Sequence, residues 1–316
     1  MKYPGGKTFA FSVIDDTDVS TVENIKPIYD LLETLGFRTS KTAWMKKCVG
    51  RSKNFYRSQT MEEPDYAEYV HSLKEKGFEI CFHGASMESS PREFIMDALE
   101  KFRGHFGEYP RIHCNHAENR DNLYWGDERF NTPAFRLAYR LTHYSNRHYF
   151  SGHDPESDFF WGDACRDYIK YMRNFCYDEV NVLKVNPNMP YHNPRCSFSN
   201  LWFSATDTPE ITHFNALLTE ENLRRLEEEG GVCLVATHFG KKFVVDGKVD
   251  EQAARVFHYL AGRPGWFVPA STILDYLYEN GLQGSISKKE IWNMERRWIR
   301  YKIRSAIMDR FHGRSA

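Results

Sequence analysis

Short apolar runs and amphipathic stretches alternate along this chain in a regular beat. Thr8-Phe9-Ala10-Phe11-Ser12-Val13-Ile14 is an unbroken strand-like run, and Val22 to Leu35 carries its apolar residues at helical spacing before Gly36. The same step recurs. Asp65 to Lys76 predicts a helix closed by Gly77 and followed by the strand Phe78 to Phe82; Pro91 to Phe106 predicts another, closed by Gly107 and followed by Arg111-Ile112-His113-Cys114. Val180 to Val185 is strand-like. Thr219 to Glu229 predicts a helix with Thr219 as N-cap, although Asn222 stands where a full capping box has Glu or Gln. Gly230-Gly231 stops it, and Val232 to Ala236 is a buried strand. A helix over about 251–261, the run Trp266-Phe267-Val268 and a helix from Ser271 to Asn280 complete the series. Repeated β then α units predict parallel strands covered by helices, arranged as a closed barrel or an open doubly wound sheet.

Composition narrows the class. The 316 residues hold 42 Lys plus Arg against 43 Asp plus Glu, so no bulk nucleic-acid affinity follows, and no nucleic-acid partner is expected. At 41% hydrophobic and 15% aromatic the chain can bury a large core. No apolar run reaches the roughly 18 residues of a membrane span, and the first residues lack the apolar segment of a secretory signal, which gives a cytoplasmic expectation. Seven cysteines without a CxxC pair argue against a disulfide scaffold or zinc ribbon. Charge is uneven. Residues 286–316 hold nine basic residues against three acidic ones, a net of +6, while residues 1–285 hold 33 against 40, a net of −7. The chain divides accordingly into a body over 1–285 and a basic amphipathic helical tail over 286–316. The tail, with Trp292 and Trp298, either docks on the body through its Trp face or offers a peripheral contact to the inner membrane face or a protein.

Candidate chemistry sits at strand ends. Apolar runs terminate in Asp15-Asp16, His83, His116 and His238. Because strand side chains alternate, the small residues Cys81, Cys114 and Ala236 point the same way as the histidines two positions on. At the C-terminal ends of parallel strands such groups converge on one mouth. One Asp and two neutral imidazoles suit a catalytic divalent metal. Asp15 is then the free carboxylate for general-base work, and a protonated His238 can donate to a leaving group.

These residues resemble the motifs of the polysaccharide deacetylase superfamily, carbohydrate esterases that include chitooligosaccharide and peptidoglycan deacetylases. Phe11-Ser12-Val13-Ile14-Asp15-Asp16 matches the first motif; Gly77-Phe78-Glu79-Ile80-Cys81-Phe82-His83-Gly84-Ala85-Ser86-Met87 matches the second, with Met87 in place of its second histidine; Val235-Ala236-Thr237-His238 matches the late motif in its histidine. Residues 266–277 are similar to the closing strand and helix. The resemblance spans about residues 8–280 and implies an irregular (β/α)7-type barrel, a divalent metal, most readily zinc, and hydrolysis of an N- or O-acetyl group on a saccharide in glycan or surface-polysaccharide assembly. It implies Asp15 as base, Asp16 and His83 as metal ligands, and His238 as acid. Met87 leaves two repairs. Either the metal is lost, giving a catalytically degenerate glycan binder or scaffold, or another strand supplies an imidazole, with His116 first and His113 as fallback. Arg120 stands where the family's base-holding arginine is sought. Aromatic and polar loops, around 144–162 and 186–193, suit sugar faces and hydroxyls, so Arg120, Trp125, Tyr191 and His192 are the expected saccharide contacts.

Overall fold

The computed structural model describes residues 2–49, 58–142, 149–281 and 286–312, with side chains to 307. Seven parallel strands close into a barrel: β1 (Phe9–Asp15), β2 (Ser40–Ala43), β3 (Glu79–Phe82), β4 (Ile112–Cys114), β5 (Tyr171–Tyr177), β6 (Leu201–Asp207) and β7 (Val232–Thr237). They pair in sequence order, and β7 returns to β1 in register from Ala10 opposite Val232 to Asp15 opposite Thr237. The barrel expectation is therefore the one the chain realises, and the open sheet is not.

Helices α1 (Val22–Thr34), α2 (Pro64–Glu75), α3 (Arg92–Phe106), α4 (Pro133–Thr142), α5 (Gly162–Tyr168), α6 (Ile211–Leu217), α7 (Glu220–Glu228), α8 (Glu251–Ala261), α9 (Ala270–Asn280) and α10 (Lys288–His312) accompany the strands. A small hairpin, β8 (Val244–Val245) with β9 (Lys248–Val249), and the two-residue β10 (Gly265–Trp266), which lies beside β1, complete it. Local chemistry sets the ends. Thr21 and Asn24 exchange side-chain to backbone bonds at the start of α1, and Gly107 leaves α3 at φ 75°, a left-handed conformation that costs glycine little.

Strand alternation sorts the core into two shells. Phe9, Phe11 and Val13 pack outward against the helices, whereas Ala10, Ile14, Cys81, Cys114, Leu234 and Ala236 fill the barrel. Helix α9 crosses the N-terminal end of the barrel. Its first amides bond to Ser40 Oγ and Glu79 Oε2, and its Asp275 accepts from Arg111, Lys170 and the Tyr171 hydroxyl at the starts of β4 and β5. With that end closed, the cavity opens at the other.

Two differences from the pattern expectation stand out, and the tail takes the docked alternative. Val180 to Val185 is not a strand: Asn181 Oδ1 accepts from the Leu183 amide and folds 182–184 into a 3-10 turn. Strands β5 and β6 carry no simple polar alternation, since both faces of each are buried, and pattern alone did not mark them. The basic tail is a long helix that docks through Met294 and Trp298; Trp298 meets Phe130 and Phe175, and Tyr177 donates to the Met294 carbonyl at 3.1 Å. No helix among the described residues is long and apolar enough to cross a membrane. All seven cysteines are free thiols.

Candidate functional site

Inward alternation continues past the end of β1. Asp15 and Thr17 point out toward the helices, while Asp16 and Asp18 point into a cavity of about 200 Å³ at the C-terminal mouth. His83 leaves β3, His116 follows β4 and His238 follows β7, each in phase with the small residue two positions earlier. Their Nε2 atoms converge on one carboxylate: Asp18 Oδ1 is 3.4 Å from His83, and Asp18 Oδ2 is 3.6 Å from His116 and 3.4 Å from His238. Trp44, fully buried, walls the cluster, with its ring 4.7 Å from His83 and 5.3 Å from His116.

The opposite edge of each imidazole is fixed. Nδ1 of His83 faces the Cys114 carbonyl at 2.8 Å, that of His116 faces Asn119 Oδ1 at 3.0 Å, and that of His238 faces the Pro209 carbonyl at 2.7 Å. The carbonyl oxygens at His83 and His238 only accept, so Nδ1 must be the donor there and a neutral ring then presents a bare Nε2. A bare nitrogen facing a carboxylate is repulsive unless a proton or a cation lies between them. Asp18 Oδ1 is indeed buried with no hydrogen-bond partner among the described residues. No group of His, Cys, Asp or Glu among those residues closes tightly enough to hold a metal ion as it stands. The donor set nonetheless fits a divalent cation in kind, because carboxylate and imidazole donors face one point and the imidazoles are oriented from behind.

Asp16, expected as a metal ligand beside His83 and His116, instead has a different partner, and the imidazoles turn to Asp18. Its two oxygens take the forked guanidinium of Arg173, Nη1 at 3.0 Å and Nη2 closer still, with both side chains nearly buried. Burial acts to raise the Asp16 pKa, but Arg173, with His83 and His238 behind it, outweighs burial and holds the carboxyl below its usual range. Asp18 is likewise pulled well down, burial being overcome by its three imidazoles. The converse holds for His116 and His238: burial disfavours their cations, and Asp18 reverses the balance and raises both.

Asp15, expected as the free carboxylate, is outside the barrel. The strand stays regular through position 15, so its side chain is turned into the helix layer, where Lys41 Nζ lies at 3.0 Å, the Tyr29 hydroxyl at 3.0 Å and the Phe239 amide at 2.7 Å. It has no path to the cavity, and Asp16 is the carboxylate that Arg173 presents there. Arg120, sought as the base-holding arginine, instead lies over the Phe159 ring at 4.4 Å. Trp125 does line the cavity. Tyr191 is a core residue bridged to Trp202, and His192 lines a separate surface depression with Lys170 and Tyr278. His113 faces outward between Phe82 and Trp161, and burial pulls its pKa down to about 3. Met87 lines another cavity, beside Trp44 and Lys46. The loop 144–148 lies outside the described residues. Asp18 and Arg173 were not singled out from sequence. Asp18 had a signal, the parity it shares with Asp16; Arg173 had none, standing 157 positions away.

Protein-family models give no match to the sequence, and no curated protein matches it. Solved structures do match in fold. A probable polysaccharide deacetylase from Pseudomonas aeruginosa PAO1 superposes with a TM-score of 0.52 at 14% identity, covering 88% of this chain and 93% of the other. Puue allantoinase superposes with a TM-score of 0.51 at 13% identity, with the same coverage of both chains. The barrel is thus a deacetylase-like fold, similar over nearly its full length to those two proteins.

Proposed function

We propose that this chain is a metal-dependent hydrolase that removes an N- or O-acetyl group from a saccharide. The observation that carries the reading is the pairing of two buried carboxylates at one barrel mouth. Asp16 is ionised and aimed by Arg173, and Asp18 is ringed by three oriented imidazoles. The likeness in fold to a probable polysaccharide deacetylase supports it. Asp18, His83 and His116 would hold a divalent cation, with zinc the natural choice for carboxylate and imidazole donors. When bound, such a cation polarises a carbonyl and lowers the pKa of water.

The remaining steps fall to this chain's own groups. Asp16 accepts the proton of the attacking water, and Arg173 fixes the direction of its lone pairs. The water oxygen bonds to the acetyl carbon, the carbon to nitrogen or carbon to oxygen bond breaks, and acetate leaves. His238 donates its Nε2 proton to the departing amine or alcohol. Its side chain is 14% exposed, against 8% for His116 and 2% for His83, so it is the imidazole most open to substrate. The reading places the reaction in cytoplasmic assembly of glycan or surface polysaccharide, with the basic face of α10 available to an anionic membrane or a protein.

A second reading, a catalytically silent glycan binder, is favoured by Met87, which replaces an imidazole and lies away from the cluster. One assay separates the two. Zinc-loaded protein should release acetate from an N-acetylated chitooligosaccharide or an O-acetylated xylan, and the Asp16→Asn protein should not. Zinc-loaded protein that releases acetate from neither class overturns the hydrolase reading.

A further inference from the structure

Among the described residues, the charged groups that line the mouth cavity are matched except for one. Asp16 has Arg173, Asp18 has its imidazoles, and Asp207 has Lys302 Nζ at 2.7 Å and the Tyr301 hydroxyl at 2.8 Å. Arg129 has no ion pair and no hydrogen bond with a described residue, and its Nε is buried without a partner. Its guanidinium is held by aromatic faces instead, 3.5 Å from the Trp125 ring centre, 4.9 Å from Trp298 and 5.6 Å from Phe175. Trp125 is itself fixed, its indole N–H donating to the Ala117 carbonyl at 3.2 Å.

We propose that Arg129, clamped by Trp125 and Trp298, forms an oxyanion-binding subsite for a carboxylate or phosphate carried by the saccharide. This rests on the saccharide-hydrolase reading above. Ring contacts occupy the faces of a guanidinium and leave its N–H edge, which is the edge that forks onto a carboxylate or phosphate. A buried cation with no ion-pair partner is costly, Asp207 offsetting burial only in part, and a bound anion lowers that cost. Burial draws the Arg129 pKa down only to about 10, so the group is a full cation at neutral pH. Lys302, already taken by Asp207, adds no second free charge. The subsite also gives the C-terminal helix a part in recognition, because Trp298 comes from α10.

Calorimetric titration of the full-length protein tests this with probes matched in shape but not in charge. A tetrasaccharide of alternating N-acetylglucosamine and glucuronate should bind about tenfold or more tightly than its methyl ester. N-acetylglucosamine 1-phosphate compared with N-acetylglucosamine gives the phosphate arm, and the larger preference identifies the source of the anion. Arg129→Leu should bring the ratio to within about twofold, and Arg129→Lys should keep part of it. The ester comparison needs no variant, so it stands even if Arg129→Leu fails to fold. Equal affinity for charged and uncharged probes, no binding of either anionic probe, or a preference that survives in Arg129→Leu overturns the subsite. Acetate release is scored separately. An anion preference without acetate release sinks the chemistry and keeps the subsite, and acetate release without the preference does the reverse.

Discussion

The Lys41 ammonium and the Asp15 carboxylate meet at 3.0 Å with neither side chain exposed to solvent. They join β1 to β2 behind the barrel wall, and the Tyr29 hydroxyl and Phe239 amide complete the carboxylate's bonding. Burial disfavours the ammonium, yet Asp15 more than compensates and holds the Lys41 pKa above its ordinary value. Removing one partner strands the other charge in the interior. Lys41→Met should therefore cost about 3 to 5 kcal/mol in urea unfolding. A loss under about 1 kcal/mol would show that the pair is not a structural tie.

Arg173 controls the proton affinity of Asp16. Without the guanidinium the largest influence opposing burial is gone, only His83 and His238 still oppose it, and the carboxyl rises, so the base is freed at higher pH. Arg173→Met is expected to lower kcat by roughly 10² to 10⁴ and to move the acid limb of the pH–rate profile upward. An unmoved acid limb in a protein with reduced kcat would assign that limb to another group.

Asp18 is the carboxylate on which the imidazoles converge. Asp18→Asn should reduce bound zinc, measured by elemental analysis after dialysis, to less than about a tenth of the parent's content, and chelator should no longer lower its melting temperature. Full zinc occupancy in Asp18→Asn would move the metal elsewhere.

Asp121, which stands behind His116, tests the effect of burial in the metal-free protein. Burial lifts its pKa to about 7, against opposing help from the Ser90 amide. Its folded pKa lies above the unfolded one, so the folded state binds the extra proton. Stability should fall as pH rises from about 4 to about 7 and then level off. Asp121→Asn, neutral throughout, should match the parent near pH 4 and exceed it in stability at pH 8 by urea unfolding. A difference that is the same at both pH values would contradict the burial argument.

Much of the chain's organisation follows from its amino acids alone. Period-two alternation put Asp16, His83, His116 and His238 on the inward face, because that rule is local and needs only the residues two positions before each one. The same rule turns Asp15, the last residue of β1, outward and, continued past the strand, turns Asp18 inward. Charge marked residues 286–316 as a basic segment. Tertiary structure decided what has no local signature: that Lys41 claims Asp15, that Arg173 reaches Asp16 across 157 positions, and that Trp298 of the last helix closes on Arg129. Alternation fixes the direction of a side chain, but a partner is chosen by where distant strands come to lie when the barrel closes, and that is settled by packing over the whole chain.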